Sequence, residues 1–183
     1  MAKILPTLER NIIKYRSMQI LIFSFYIEDF KRKIISSLKV KLIYNNLEGY
    51  KNEIAPSNMG DAMDMLERKN ILSKEDRAEY AKLIKYRNQT SHEIELMFLD
   101  LVKNDAEEIY KTYKVIKYDY EAIEKIKKLR DKVLNKLSRE LILSINLREN
   151  MFELIEGTYF YEMKKLEVAI EKGIINRKKM TDK

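Results

Sequence analysis

Tyr86-Arg87-Asn88-Gln89-Thr90-Ser91-His92-Glu93-Ile94 contains the only histidine of this 183-residue chain, five positions after an arginine that is followed by a polar residue. The residues leading into it decide the fold. Ser73-Lys74-Glu75-Asp76 has the form of a capping box, in which a hydroxyl bonds a backbone amide three residues on and an acidic side chain reaches back. A helix is therefore predicted from Ser73. It carries Ala78, Ala81, Leu83 and Ile84 inward and reaches the Arg87 segment at or near its C-terminal end, so that Arg87 and His92 flank a helix junction. Beyond it Ile94, Met97, Phe98, Leu101 and Val102 recur at helical spacing, which predicts a further helix ending near Asn104.

The same reading extends outward in both directions. Upstream, Met59, Met63 and Leu66 mark a short helix that Ser57 or Asn58 can cap and Asn70 ends. Pro56 lies in a loop before it, and the first helix runs from Thr7, read as its N-cap, to about Asn45–Gly49, with Ile27, Phe30, Ile34, Leu38 and Leu42 on one face. Downstream, Ile123, Ile126, Leu129, Val133, Leu137, Leu141 and Ile145 predict one long amphipathic helix from about Tyr118 to Asn150. A last helix, broken or bent near Gly157, covers Phe160 to Glu171, and Arg177 to Lys183 reads as a mobile tail. Four glycines, two prolines and no alternating apolar stretch leave no strand signal. The expectation is an all-α protein of five or six helices, the four between Thr7 and Asn104 forming an antiparallel bundle. One domain spans residues 1–183, with its core at about 7–150 and a C-terminal helix and basic tail at 151–183.

Composition bounds the function. A hydrophobic content of 45% is enough to bury a core without cross-links. With no cysteine there is no disulfide or thiolate metal site, and with one histidine as well no structural zinc is expected. No cofactor is expected either. Met1-Ala2-Lys3-Ile4-Leu5-Pro6 does not read as a signal peptide. The apolar run Ile20–Ile27, closed by Glu28 and Asp29, is far short of the roughly 20 residues that span a bilayer. A cytoplasmic protein without a membrane partner is the expectation. The net charge of +7 favours a polyanionic partner through counterion release, although 26 lysines on solvated helix faces produce the same number.

The residue types around His92 suit RNA cleavage without a metal. That reaction needs a base for the 2′-hydroxyl proton, an acid for the leaving 5′-oxygen and a cation for the charge gathering on phosphate. Histidine titrates near neutral pH and can fill either proton role. The planar, permanently charged fork of Arg87 suits phosphate oxygens. Asn88 can hydrogen-bond phosphate or fix one tautomer of His92. Lys82 and Lys85, with Lys74 and Arg77 nearer the helix start, offer a rim for the RNA backbone, and Tyr86 a ring for base stacking.

Each residue also has a plainer role. His92 can be a satisfied histidine at a helix start, Arg87 an ion-pair partner of Glu93 or Glu95, Asn88 a helix cap, Lys82 and Lys85 part of a solvated face, and Tyr86 a packing residue. Thr90 and Ser91 read as capping or turn residues, since no separate base is at hand to activate them. The acceptor sequence Asn88-Gln89-Thr90 is discounted without a secretion signal.

Arg87, the polar Asn88 and His92, preceded by the short helix over Met59–Leu72 and the helix from Ser73, resemble the signature and local layout of HEPN domains. The resemblance covers residues 20 to 105 and thins beyond. It implies a HEPN-like helical bundle with additional C-terminal helices, and a metal-independent endoribonuclease with Arg87, Asn88 and His92 as catalytic residues. It also implies a homodimer, because members of the family bring two such motifs into one cleft, which answers the need for both an acid and a base. Such proteins act as toxins of toxin–antitoxin pairs or as abortive-infection effectors in antiviral defence, so a cognate antitoxin or another defence-system partner is a further expectation. In the branch paired with a minimal nucleotidyltransferase, a tyrosine two residues past the histidine receives nucleotide. Here that position is Ile94, so a different antitoxin, or none, is expected. The competing reading is a non-catalytic HEPN-like module that binds nucleotide, RNA or a protein partner; a purely structural helical dimer is the third.

Overall fold

With so few glycines and prolines, little in this chain interrupts a helix, and the computed structural model is all-α. It describes residues 6–47, 54–93, 98, 101, 118–140 and 147–181. Among these are five helices and no strand: α1 Thr7–Leu47, α2 Met59–Arg68, α3 Lys74–His92, α4 Ala122–Glu140 and α5 Leu147–Thr181. No helix among the described residues is long and apolar enough to cross a membrane. The chain gathers into two compact units, one of residues 23–87 and 120–147, the other of residues 1–22, 88–119 and 148–183.

The first of these units is built on the second half of α1. Phe23, Tyr26, Ile27, Phe30, Ile34, Leu38 and Leu42 recur every three or four residues and are all buried. Phe23 packs against Tyr86 with ring centroids 5.7 Å apart, and Phe30 against Tyr80 at 5.6 Å. As numbering rises on α1 it falls on α3, so the two helices are antiparallel. Ile126, Leu129, Val133 and Leu137 make the buried stripe of α4. Asp29, 2% exposed, ties α4 to α1 by accepting from Arg130 at 3.2 Å while Arg32 and Lys33 approach to 2.6 and 3.5 Å. A buried carboxylate is tolerated only with such partners. Lys127 and Arg130 also stand over the Tyr26 ring, 5.6 and 5.8 Å from its centroid.

The caps follow the sequence. Asn58 accepts from the Asp61 amide at 3.0 Å and starts α2. Asn70, at φ 57°, takes the left-handed conformation that lets Ile71 N donate back to Leu66 O, and the helix stops. At α3 the Asp76 amide donates to Ser73 Oγ at 3.2 Å and the Ser73 amide to Asp76 Oδ2 at 3.4 Å, a reciprocal box with aspartate in the acidic place. Lys132 of α4 donates to the other Asp76 oxygen at 2.8 Å. Burial raises the Asp76 pKa, but the hydrogen bonds from Lys132 and Ser73 outweigh it and hold the carboxyl below its ordinary value.

In the second unit the first half of α1 lies antiparallel to α5. Tyr15 pairs with Glu167, and Leu8 earlier on α1 meets Gly173 later on α5. A Cβ at Gly173 would come within 3.0 Å of Leu8 Cδ1, so the glycine permits the close approach. Buried Gln19 donates to the Tyr15 hydroxyl at 3.2 Å and accepts from Tyr118 at 2.5 Å, and the Arg16 guanidinium covers the Tyr118 ring at 4.9 Å.

Several boundaries differ from the sequence reading. Thr7 is the first helical residue, and its hydroxyl accepts from the Arg10 guanidinium at 3.0 Å. The single helix expected from Tyr118 to Asn150 is helical only over Ala122–Glu140 before α5 starts at Leu147; residues 141–146 lie outside the described ones. α5 runs without a break through Gly157 and through the expected tail to Thr181. One exposed glycine costs a helix only about 1 kcal/mol, and Phe152 and Met163, buried on either side of it, hold the helix in place. The helix expected over Ile94–Asn104 falls outside the described residues except for Phe98 and Leu101.

Candidate active site

Helix α3 runs unbroken through Arg87, Asn88 and Thr90 and ends at His92. The junction expected between Arg87 and His92 is therefore helical, and Asn88 and Thr90 are helix residues rather than caps or turns. Thr90, within this last part of α3, is buried. His92 closes the helix instead of opening one, and its side chain is exposed, as are those of Asn88, Lys82 and Lys85. Asn88 and His92 are four apart and so neighbours on one helix face.

Arg87 is half-buried and points into the unit built on α1, α2 and α3. Its Nη2 donates to Glu28 Oε1 of α1 at 3.1 Å, and Lys31 reaches the other Glu28 oxygen at 3.9 Å. The acidic partner expected in sequence was Glu93 or Glu95; the structure supplies Glu28, 59 residues away, and Glu95 lies outside the described residues. Beside Arg87 opens a cavity of about 400 Å³ with Ile27, Met59, Met63 and Ile84 in its walls and Lys31, Arg77 and Arg87 among its polar lining. Arg77 is held by Asp64 at 2.5 Å and Glu67 at 2.9 Å, which ties α3 to α2. Tyr86 is half-buried with its ring against Phe23. Lys82 lies 3.9 Å from Glu79.

Tyr80, also lining the cavity, had no place in the sequence reading. Burial, helped by the Glu28 carboxylate and opposed by Arg87, pushes its phenol up from 10.0 to about 12. A phenol whose folded pKa exceeds its unfolded one stabilises the fold fully below pH 10, and that contribution is lost as the pH rises through about 12. Alkaline unfolding followed by circular dichroism between these values will therefore be less steep in Tyr80→Phe; an identical slope refutes the buried-phenol account. Neither Glu28 nor Tyr80 carries a local signal linking it to Arg87, since only the packing of α1 on α3 brings them together.

Among the described residues no group of three or more histidine, cysteine, aspartate or glutamate side chains is gathered to hold a metal ion. The chain matches no family model, no curated protein and no solved structure.

Proposed function

We propose that the protein is a metal-independent endoribonuclease that cuts RNA by attack of the 2′-hydroxyl on its neighbouring phosphate. The observation that carries this reading is the exposed His92 at the C-terminal end of α3, next to Asn88 on one helix face and five residues after Arg87 in the sequence. His92 moves protons, Arg87 stabilises the phosphate charge and Asn88 orients, with Lys82 and Lys85 along the RNA backbone and Tyr86 nearby. One chain has a single histidine, whereas the reaction needs both an acid and a base. A homodimer that joins two copies of the segment supplies both an acid and a base. The resemblance to HEPN domains supports a role as a toxin or abortive-infection effector, with an antitoxin or defence-system partner and a cytoplasmic site of action.

Purified protein is expected to cut a structured RNA in excess EDTA and to leave 2′,3′-cyclic phosphate and 5′-hydroxyl ends, while a chain with deoxyribose at the cut site resists. A requirement for a divalent cation, or 5′-phosphate products, would overturn the assignment.

The ion pair of Arg87 with Glu28 favours a second reading, a module that binds RNA or nucleotide and cleaves nothing, because an arginine held this way contributes to packing without any chemistry. Glu28 also competes with phosphate for Arg87 and Lys31. Glu28→Gln is expected to bind RNA about three- to tenfold tighter, with a steeper fall in affinity as salt rises. Fluorescence anisotropy across a salt series measures both, and unchanged affinity would show that phosphate does not meet these two cations.

A further inference from the structure

The inward side of α5 repeats in steps of four and three: Phe152 and Met163 are buried, and Tyr159, Leu166 and Ile170 half-buried. On the outward side a second apolar line appears that this packing does not use. Leu154, Tyr161, Val168 and Ile175 recur every seven residues and are 73%, 64%, 41% and 52% exposed. Four large apolar side chains at a strict heptad interval mark a seam about 31 Å long. It drifts by about 20° per heptad on a straight helix, so a partner that follows it must wrap with a left-handed twist.

Along the C-terminal three of these residues one flank of the seam carries a line of lysines. Four residues after Tyr161, Val168 and Ile175 come Lys165, Lys172 and Lys179, all exposed, and Lys164 lies on the opposite flank with Glu171. Lys165 covers the Tyr161 ring at 4.2 Å and is paired with Glu162 at 2.8 Å, so the cation that borders the apolar line would exchange Glu162 for a partner's carboxylate. A second copy of the chain is a poor fit. Paired antiparallel about the midpoint between Tyr161 and Val168, it would bring Lys164 and Lys165 of both helices together. Paired parallel, it would place Lys165, Lys172 and Lys179 of both in the inner positions, where charge is costly. A lipid surface takes a broad apolar face, whereas exposed Ile155 and Ile174 stand about 100° to either side of this line, with Lys165 and Glu162 between on one side and Lys164 and Glu171 on the other.

We infer that the outward seam of α5 docks an acidic amphipathic helix of another protein, its apolar residues on Leu154, Tyr161, Val168 and Ile175 and its carboxylates beside Lys165, Lys172 and Lys179. The binding is of the helix-on-helix kind, with the apolar line supplying affinity and the lysines selecting the partner's charge. It is independent of the nuclease reading, since no residue of α5 takes part in that chemistry.

The test uses the full chain and two synthetic peptides of about four heptads, with leucine at the core positions and either glutamate or lysine at the flanking ones. Fluorescence anisotropy is expected to show the glutamate peptide binding at least about tenfold tighter than the lysine peptide. Tyr161→Glu with Val168→Glu should abolish this binding with the circular dichroism spectrum unchanged, because both side chains are exposed. Lys165→Glu with Lys172→Glu should reverse the preference to the lysine peptide, a gain that misfolding cannot produce. Binding of neither peptide, or of both equally, overturns the inference. So does a dimer that the Tyr161→Glu, Val168→Glu variant dissolves, which would make the occupant a second copy, or capture by phosphatidylserine vesicles without capture of the glutamate peptide, which would make it a membrane.

Discussion

His92→Ala and Arg87→Ala will each lower cleavage of a structured RNA by at least about a hundredfold, the size typical of losing a general acid or base and of losing a charge that stabilises the transition state. The two variants should part company in binding. Only Arg87 carries a permanent charge, so RNA affinity survives the histidine change better than the arginine change, and the arginine variant has the shallower salt dependence. Arg87→Ala also releases Glu28, whose carboxylate then faces the RNA unpaired, so Arg87→Ala combined with Glu28→Gln should recover part of the binding and none of the cleavage. Single-turnover rates and anisotropy on the same preparations separate these outcomes. Cleavage that persists unchanged in His92→Ala sinks the nuclease assignment. Absence of cleavage in the unmodified protein, with RNA binding retained, leaves the binding module as the function.

Phe30→Ala will cost about 3–5 kcal/mol of stability. Phe30 is fully buried on α1 and its ring meets Tyr80 edge-on at 5.6 Å, so truncation removes a large apolar group and an aromatic contact together. The neighbours cannot close the space easily: Ile27 and Ile34 on the same helix are buried, and Asp29 one residue away is fixed by Arg130. Phe30→Leu keeps most of the volume and should cost less than about half as much. Urea unfolding followed by far-ultraviolet circular dichroism measures both, and a loss below about 1 kcal/mol for Phe30→Ala would show that the α1–α3 contact is loosely packed.

Much of the helical framework was legible because its causes are local. The stripe from Ile27 to Leu42 and the one from Ile123 to Leu137 have helical spacing in the sequence and are buried in the structure. Asn58, Asn70 and Ser73 with Asp76 act at the helix ends where their types place them, through bonds that span three to five residues. The errors fell where a weak local signal met a strong non-local one. Gly157 and the polar residues after Arg177 read as a break and a tail, yet α5 continues through both: one exposed glycine costs a helix little, and Phe152 and Met163 are buried on either side of it. The segment from Arg87 to His92 read as a junction, yet α3 continues through it to His92, with Thr90 buried.

The sequence by itself determined the all-α class, the buried faces of α1 and α4, and the presence of Asn88 and His92 one and five positions after Arg87. Which groups surround them was decided by tertiary structure alone. Glu28 reaches Arg87 across 59 residues, Glu167 reaches Tyr15 across 152, and Arg130 reaches the buried Asp29 across 101. Helical periodicity and capping arise from interactions within about one turn and are written in adjacent letters, whereas ion pairs between helices depend on which faces abut. The heptad line on α5 shows the same division: its spacing is in the sequence, but only packing of the opposite face against α1 decides that this line remains outside, where burial is still to be gained.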